Sequence, residues 1–463
     1  MMLGKSMLHV PGKVNWHVLT SHAKTSGTRL LAARAASEDI FALHEEIEQH
    51  KPITSAYIHL PFCKKKCLYC DFPVVALGGA TGGQYKDDPM MDAYVNAICR
   101  EIALTSPVDQ TKEQEGLKTI YFGGGTPSLI SLKSLEHILH VLDDTFGIDP
   151  EAEISIEADP GTFTAETLKS YMNMGVQRVS VGVQAFDDEL LQLCGRSHSL
   201  YDVYEAIDAV YASNIPTWSL DLISGLPLLT MERWERNLMC AIDADPKHIS
   251  SYDLQVEQGT PFGTMYRPGV SPLPTDKEAA EMYSRASYVF RNAGYEHYEL
   301  SSYAKPGHQC KHNAVYWDGQ GYYAFGMGAA SYIELRRVTR PRKFNAYMKW
   351  VENFSQRVEE SMTILPHLDA PQATHEDILT DAIMLQLRKS SGLDLNTILQ
   401  TYKNGASIVD VILDVAKVQR EKGLVEYEED TGCLRLTDPE GFLFSNDVIS
   451  DIFVALDAMK QDY

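Results

Sequence analysis

No stretch of the 463-residue chain approaches the ~18 uninterrupted apolar residues of a membrane-spanning helix, so no span is expected. Basic residues are in short supply: 41 Lys and Arg stand against 63 Asp and Glu, a formal charge of −22. A surface that negative repels phosphate backbones, and nucleic acid is not an expected partner. Cysteine is sparse as well. The eight present are too scattered for a disulfide scaffold, yet three fall within eight positions, a pattern of metal binding in a reducing compartment. Acidic residues are missing altogether from Met1 to Ser37, where Lys5, Lys13, Lys24, Arg29 and Arg34 are basic and Ser, Thr and Ala are common. That composition predicts an organellar transit peptide over residues 1–37, plastid and mitochondrion fitting equally. A basic tail on a cytoplasmic protein has the same composition, and the alternative stays open.

What is present is enough apolar material, 44% of residues, for a large core, and the length predicts one large domain with a smaller one. Short β-branched runs alternate with helical patterns. Strands are predicted at Ala56–Leu60, Thr119–Phe122, Glu153–Glu157, Arg178–Val183, Ser219–Ile223 and His248–Leu254. Amphipathic helices are predicted between them, at Met91–Leu104, Ser131–Asp144, Ala165–Met174, Tyr201–Ser213 and Met231–Ile242. This rhythm predicts an α/β fold with a parallel sheet, open or curled into a partial barrel. Gly78–Pro89 reads as a surface loop, and the proline-rich Glu257–Asp276 as an excursion before a helix. The core is expected over 53–294, an extension over 295–365, and a linker around Pro366–Pro371. Over 372–440, three helices and a hairpin predict a small winged-helix-like domain, its acidity favouring packing over DNA binding.

The strongest chemical signal is Cys63-Lys64-Lys65-Lys66-Cys67-Leu68-Tyr69-Cys70, directly after the first strand. Three thiolates on one loop hold three corners of a soft metal centre and leave a fourth open. Zinc competes, but it favours four ligands, and no fourth Cys or His follows closely. Further polar motifs end successive strands: Gly123-Gly124-Gly125-Thr126-Pro127, then Glu157-Ala158-Asp159-Pro160-Gly161, then Gly182-Val183-Gln184. Arg196 lies in the next loop, and Asp221 lies on the fifth strand. Each alone reads as a cap or a buried hydrogen-bonding partner. In series, at the carboxyl ends of parallel strands, they form a ligand face.

The CxxxCxxC spacing resembles the signature of the radical S-adenosylmethionine (SAM) superfamily. That resemblance implies a partial (β/α)6 barrel and a 4Fe–4S cluster held by Cys63, Cys67 and Cys70. The open iron would chelate SAM, and the reduced cluster would supply one electron for its cleavage. From Ser55 to Thr437, the segment Tyr57–Cys63, the GGGTP turn, the EADPGT segment and Gly182–Gln184 look like oxygen-independent coproporphyrinogen III oxidases and their HemW-type relatives. By that likeness Tyr57, Gly124 and Glu157 would contact cluster-bound SAM. Gly125, Thr126, Gln184, Arg196 and Asp221 would line an adjoining site, which holds a second SAM in the oxidase.

Two features resemble the HemW branch of haem chaperones. Phe72 stands where the oxidase pattern carries another cysteine, and His312-Asn313-Ala314-Val315-Tyr316-Trp317 matches the HNxxYW motif associated with haem. The resemblance implies haem as cargo with His312 as axial ligand; Cys310 is a rival two residues away. Cys99, Cys194, Cys240 and Cys433 read as ordinary structural residues. The expected partners are haem, haem-accepting proteins and a low-potential electron donor such as a ferredoxin or flavodoxin. The competing activity is decarboxylation of coproporphyrinogen propionates.

Overall fold

The computed structural model describes residues 40–44, 52–78, 88–105, 115–360 and 369–461. The transit peptide expected over 1–37, most of the Gly78–Pro89 loop and part of the Pro366–Pro371 linker lie outside these residues. Six parallel strands form the frame: β1 (Ser55–Leu60), β2 (Leu117–Gly124), β3 (Ile148–Ala158), β4 (Val176–Gln184), β5 (Thr217–Ser224) and β6 (His248–Asp253). Helices Pro89–Leu104, Leu132–Phe146, Ala165–Asn173, Leu200–Ser213 and Met231–Asp243 make the crossovers. Their starts are written in the sequence. Ser131, Thr164, Ser199 and Thr230 each accept a backbone N–H in the first turn, and the Asp202 carboxylate accepts the Ser199 N–H in return.

The strands are buried on both faces, yet they alternate in polarity. Ile58, Leu60, Ile120, Phe122, Ile154, Ile156, Val179, Val181, Leu220, Leu222 and Ile249 all belong to the main apolar core. The opposite positions are Ser55, Tyr57, His59, Thr119, Tyr121, Glu153, Ser155, Glu157, Arg178, Ser180, Asp221 and Ser250. They fall beside one another in register: Ser55 by Thr119 by Glu153, Tyr57 by Tyr121 by Ser155, Glu157 by Ser180, and Asp221 by Ser250. A parallel sheet covered on both faces ordinarily reads as continuous apolar runs. Alternation within buried strands marks a polar inner wall.

The expected boundary at 294/295 does not hold. Strands β7 (Glu296–Glu299), β8 (Ser302–Ala304) and β9 (Tyr323–Phe325) belong to the same nine-stranded sheet, in order β9-β1-β2-β3-β4-β5-β6-β8-β7. The extension covers the exposed edges of both β1 and β6, which would otherwise present unpaired backbone groups. Between β8 and β9, the helix Lys311–Trp317 crosses beneath the sheet and closes the barrel floor. Its segment touches both halves of the ring, through Thr119 on β2 and Thr217 on β5.

The C-terminal unit has its own core and runs further than 440. The hairpin Val425–Glu428 and Cys433–Leu436 is as expected, but Glu440–Leu443 and Ser445–Gln461 are also helical. Ile449, Ile452 and Leu456 of the last helix pack against Ile408 and Ile412, so the fold would be open without it. Phe41 and Leu43 join the same core, and Asn404 donates to the Ile40 carbonyl. Asp438 ties this unit to the barrel, accepting from Ser287 at 2.6 Å and facing His297 at 2.9 Å.

Candidate functional site

The cysteine loop leaves β1 at Pro61 and is clamped from several sides. The Val75 N–H donates to the Pro61 carbonyl, and the Leu68 N–H to the Cys194 carbonyl. The Glu257–Asp276 excursion has a role unseen in the sequence. Its short helix Pro261–Met265, capped by Thr260, sends the Phe262 N–H to the Leu68 carbonyl and sets the Phe262 ring against Tyr69. Lys64 donates to the Gly161 carbonyl at 2.7 Å, tying the loop to the end of β3. The lysine run is therefore partly structural, while Lys65 and Lys66 are exposed.

All three cysteines of the loop are partly exposed, unlike Cys99, Cys194 and Cys310. Burial of the thiol pushes Cys63 up to about 12 and Cys70 to about 11. A cationic donor nonetheless reaches the sulfurs: Arg196 Nη1 stands 3.3 Å from Cys67 Sγ. Among the described residues no group of three His, Cys, Asp or Glu side chains is arranged to chelate one ion. A four-iron cube makes a different demand, since each thiolate takes its own iron. Three soft sulfurs on one loop, with cationic donors around them, fit such an anionic cluster.

Behind the loop, two glycines let backbone approach closely. Gly124 has φ +121°, and a Cβ there would lie 2.6 Å from the His59 ring; a Cβ on Gly125 would lie 2.7 Å from the Pro61 and Phe62 carbonyls. The Gly124 N–H donates to Glu157 Oε2 at 3.0 Å, while the Tyr121 hydroxyl donates to Glu157 Oε1 at 3.2 Å. Tyr57 stacks on Tyr121, 6.2 Å between centroids. Tyr57, Gly124 and Glu157 thus stand together.

The second predicted set is arranged around Asp159, which sequence reasoning did not single out. Arg196 Nη2 pairs with Asp159 Oδ1 at 2.7 Å and donates to the Gly182 carbonyl at 3.0 Å, and the Thr126 hydroxyl reaches Asp159 Oδ2 at 3.3 Å. Gln184, at φ +68°, sits with its side chain beside Arg196 and Asp159 over Gly182. Asp221 accepts from Ser180 at 3.1 Å. Its carboxyl is raised to about 6 and that of Glu157 to about 7, burial being the main cause in both. Two desolvated carboxylates facing one chamber favour a cationic ligand, and SAM carries a sulfonium and an ammonium.

His312 is placed apart from this set, on the floor helix, and differently from the expectation of an open axial ligand. It is 1% exposed. Thr119 donates to Ser55 Oγ, so its oxygen accepts from His312 Nδ1–H at 2.8 Å. That leaves Nε2 to accept from the Tyr316 hydroxyl, also at 2.8 Å. Both nitrogens are engaged, and burial lowers the imidazole to about 3, a neutral ring. Cys310 is buried too, at the N-cap of the floor helix, and burial raises its thiol to about 11. As folded, the His312 nitrogens offer no free lone pair to haem iron, and Cys310 is shut away from the surface. The missed residues, Tyr121, Asp159, Thr119 and the buried Arg178–Glu153 pair, share one legible signal: a polar side chain at an inward position of a buried strand, or just past its end.

A parallel (β/α)6 sheet with a three-thiol loop after its first strand defines the class, a radical SAM protein. The family model described as "Radical SAM superfamily" matches residues 57–239, and that described as "HemN C-terminal domain" matches 373–444. The chain is 40% identical over 420 residues to the heme chaperone HemW of Synechocystis, covering 87% of this chain and 97% of that one. It is 32% identical to the heme chaperone HemW of Bacillus subtilis, covering 85% and 97%. A mouse relative, "Radical S-adenosyl methionine domain-containing protein 1, mitochondrial", is 31% identical, covering 66% and 67%. The solved coproporphyrinogen III oxidase (HemN) of Escherichia coli superposes with a TM-score of 0.70 at 20% identity, over 88% of this chain and 91% of that one, a likeness of fold. This chain belongs to the HemW family. Membership implies a 4Fe–4S cluster and SAM; no helix among the described residues is long and apolar enough to cross a membrane.

Proposed function

We propose that this chain is a haem chaperone, binding haem and passing it to haem-dependent acceptor proteins. The observation that carries the reading is its relationship to the Synechocystis HemW over 97% of that relative's length. In this reading Cys63, Cys67 and Cys70 hold the cluster, which supplies a low-potential electron and an open iron when bound. Tyr57, Gly124 and Glu157 receive SAM against it. Gly125, Thr126, Gln184, Arg196 and Asp221 line the adjoining space, with Arg196 also donating toward Cys67. The chain's own contribution is positional: buried carboxylates for cationic groups, glycine backbone for close approach, and a chamber walled from water by Tyr57 and Tyr121.

A ferredoxin or flavodoxin would reduce the cluster. Residues 1–37 would direct the chain to an organellar matrix or stroma, a reading supported by their composition and by the mitochondrial name of the mouse relative. A fluorescent fusion to these residues that stays in the cytosol would refute the targeting. The function itself is tested by anaerobic reconstitution of the full chain, followed by haem titration beside an assay with coproporphyrinogen III. Stoichiometric haem binding without porphyrinogen turnover is expected. Turnover without haem binding would make the chain an oxidase.

A further inference from the structure

The floor helix raises a question that the proposed function leaves open: what a histidine with both nitrogens engaged does beneath the chamber. Its position answers it. The His312 ring stacks on Tyr121 with centroids 5.3 Å apart and planes 25° apart. Tyr316 closes edge-on against His312 at 5.1 Å. Tyr121 in turn gives its hydroxyl to Glu157 Oε1, the oxygen that the Gly124 N–H does not hold. Tyr57 stacks on Tyr121 and gives its hydroxyl to His59 Nδ1 at 3.2 Å; His59 Nε2–H donates to the Pro73 carbonyl at 2.9 Å, three residues beyond Cys70. One run of stacked rings therefore links the floor to the carboxylate and to the end of the cysteine loop.

We infer that His312 is a positioning residue for the SAM chamber: pinned by Thr119 and Tyr316, it holds the Tyr121 ring so that its hydroxyl fixes the Glu157 carboxylate. The inference rests on the reading of Glu157 as a SAM contact and gives the HNxxYW motif work on that site. The ring is suited to this. A flat, neutral imidazole with a donor on one edge and an acceptor on the other is locked against rotation by two hydrogen bonds, which an aliphatic side chain of equal size would not be. Burial raises the carboxyl of Glu157, whereas the Gly124 N–H and the Tyr121 hydroxyl favour its ionised form. The other titratable groups around it are Tyr57 from β1, Asp221 from β5, Tyr252 from β6 and Tyr316 from the floor helix. Loosening Tyr121 removes a donor to the anion, so the midpoint for ionising Glu157 moves to higher pH.

The experiment is equilibrium SAM binding to the anaerobically reconstituted full chain between pH 5.5 and 8.5, with iron content measured alongside. His312→Ala and Tyr121→Phe are each expected to weaken SAM at neutral pH by about tenfold, the scale of one hydrogen bond to a charged group. Both should move the binding midpoint upward in pH, with iron near the wild-type level. His312→Gln, which keeps a donor and an acceptor, should recover most of the affinity. Wild-type affinity and midpoint in His312→Ala overturn the inference, and they do so most sharply if that variant loses the haem Soret band instead. Should His312→Ala fail to fold, Tyr121→Phe decides, because it removes one hydroxyl and keeps the ring; an unmoved midpoint there also overturns it. A wild-type chain that binds no SAM at any pH defeats the reading of the chamber itself, a separate and recognisable failure.

Discussion

The two ends of the barrel carry the same kinds of residue and put them to opposite uses. At the top, Cys63, Cys67 and Cys70 are partly exposed on a loop anchored from both sides, with the Arg196 guanidinium donating to Cys67. At the floor, Cys310 and His312 are buried and neutral, and both ring nitrogens of His312 are hydrogen-bonded. A thiol and an imidazole near aromatic rings spell a ligand set in either place when read as letters. Accessibility and unspent lone pairs separate them, and these come from the strands behind each loop.

The comparison is broken most severely at the top. Replacing Cys63, Cys67 and Cys70 together by Ala should abolish the cluster's visible absorbance and its reduced-state paramagnetic signal while the fold persists; four irons retained in that variant would mean the thiols serve elsewhere. At the floor the expected damage is to stability. Arg178, 3.4 Å from Glu153 and donating to the His308 and Gln309 carbonyls, anchors the segment leading into the floor helix. Arg178→Ala strands a buried carboxylate and should cost about 3–5 kcal/mol, read as a fall in thermal midpoint without a change in cysteine-loop chemistry. A midpoint within a degree of wild type would show that the floor is not held this way. The smallest effect is expected from Cys310→Ser, since serine is close to cysteine in size and suits the N-cap position that Cys310 occupies. Stability should change by less than about 1 kcal/mol. Loss of the haem Soret band in an otherwise stable Cys310→Ser protein would turn the comparison around and make the floor thiol a ligand after all.

Much of this architecture was legible before folding. All six parallel strands lie where the β-branched runs predicted them, because their outward positions, such as Ile120 and Phe122 or Val179 and Val181, are uniformly apolar. The three cysteines and the motifs at the strand ends fall at one end of the barrel for the same topological reason. The extension was misread as a separate region because β7, β8 and β9 are only three or four residues long, too short for alternation to register. The Asp159–Arg196 pair was hidden because its partners lie 37 residues apart, and no local pattern joins them. His312 shows another limit: its motif was legible, but hydrogen bonding to Thr119, far away in sequence, decides whether its nitrogens are free.

The floor segment begins after β8, which pairs with the last parallel strand, and ends at β9, which pairs with the first. It is a chord drawn across an incomplete ring. A chord of fixed length and fixed anchors sets the arc above it, so the distance between Lys305 and Tyr322 governs how far the first and last parallel strands can part. Lengthening the chord by an insertion would slacken the ring at its open side, and shortening it would draw the wall inward on whatever the chamber holds. The aperture of the barrel is written in a segment that contributes no strand to it.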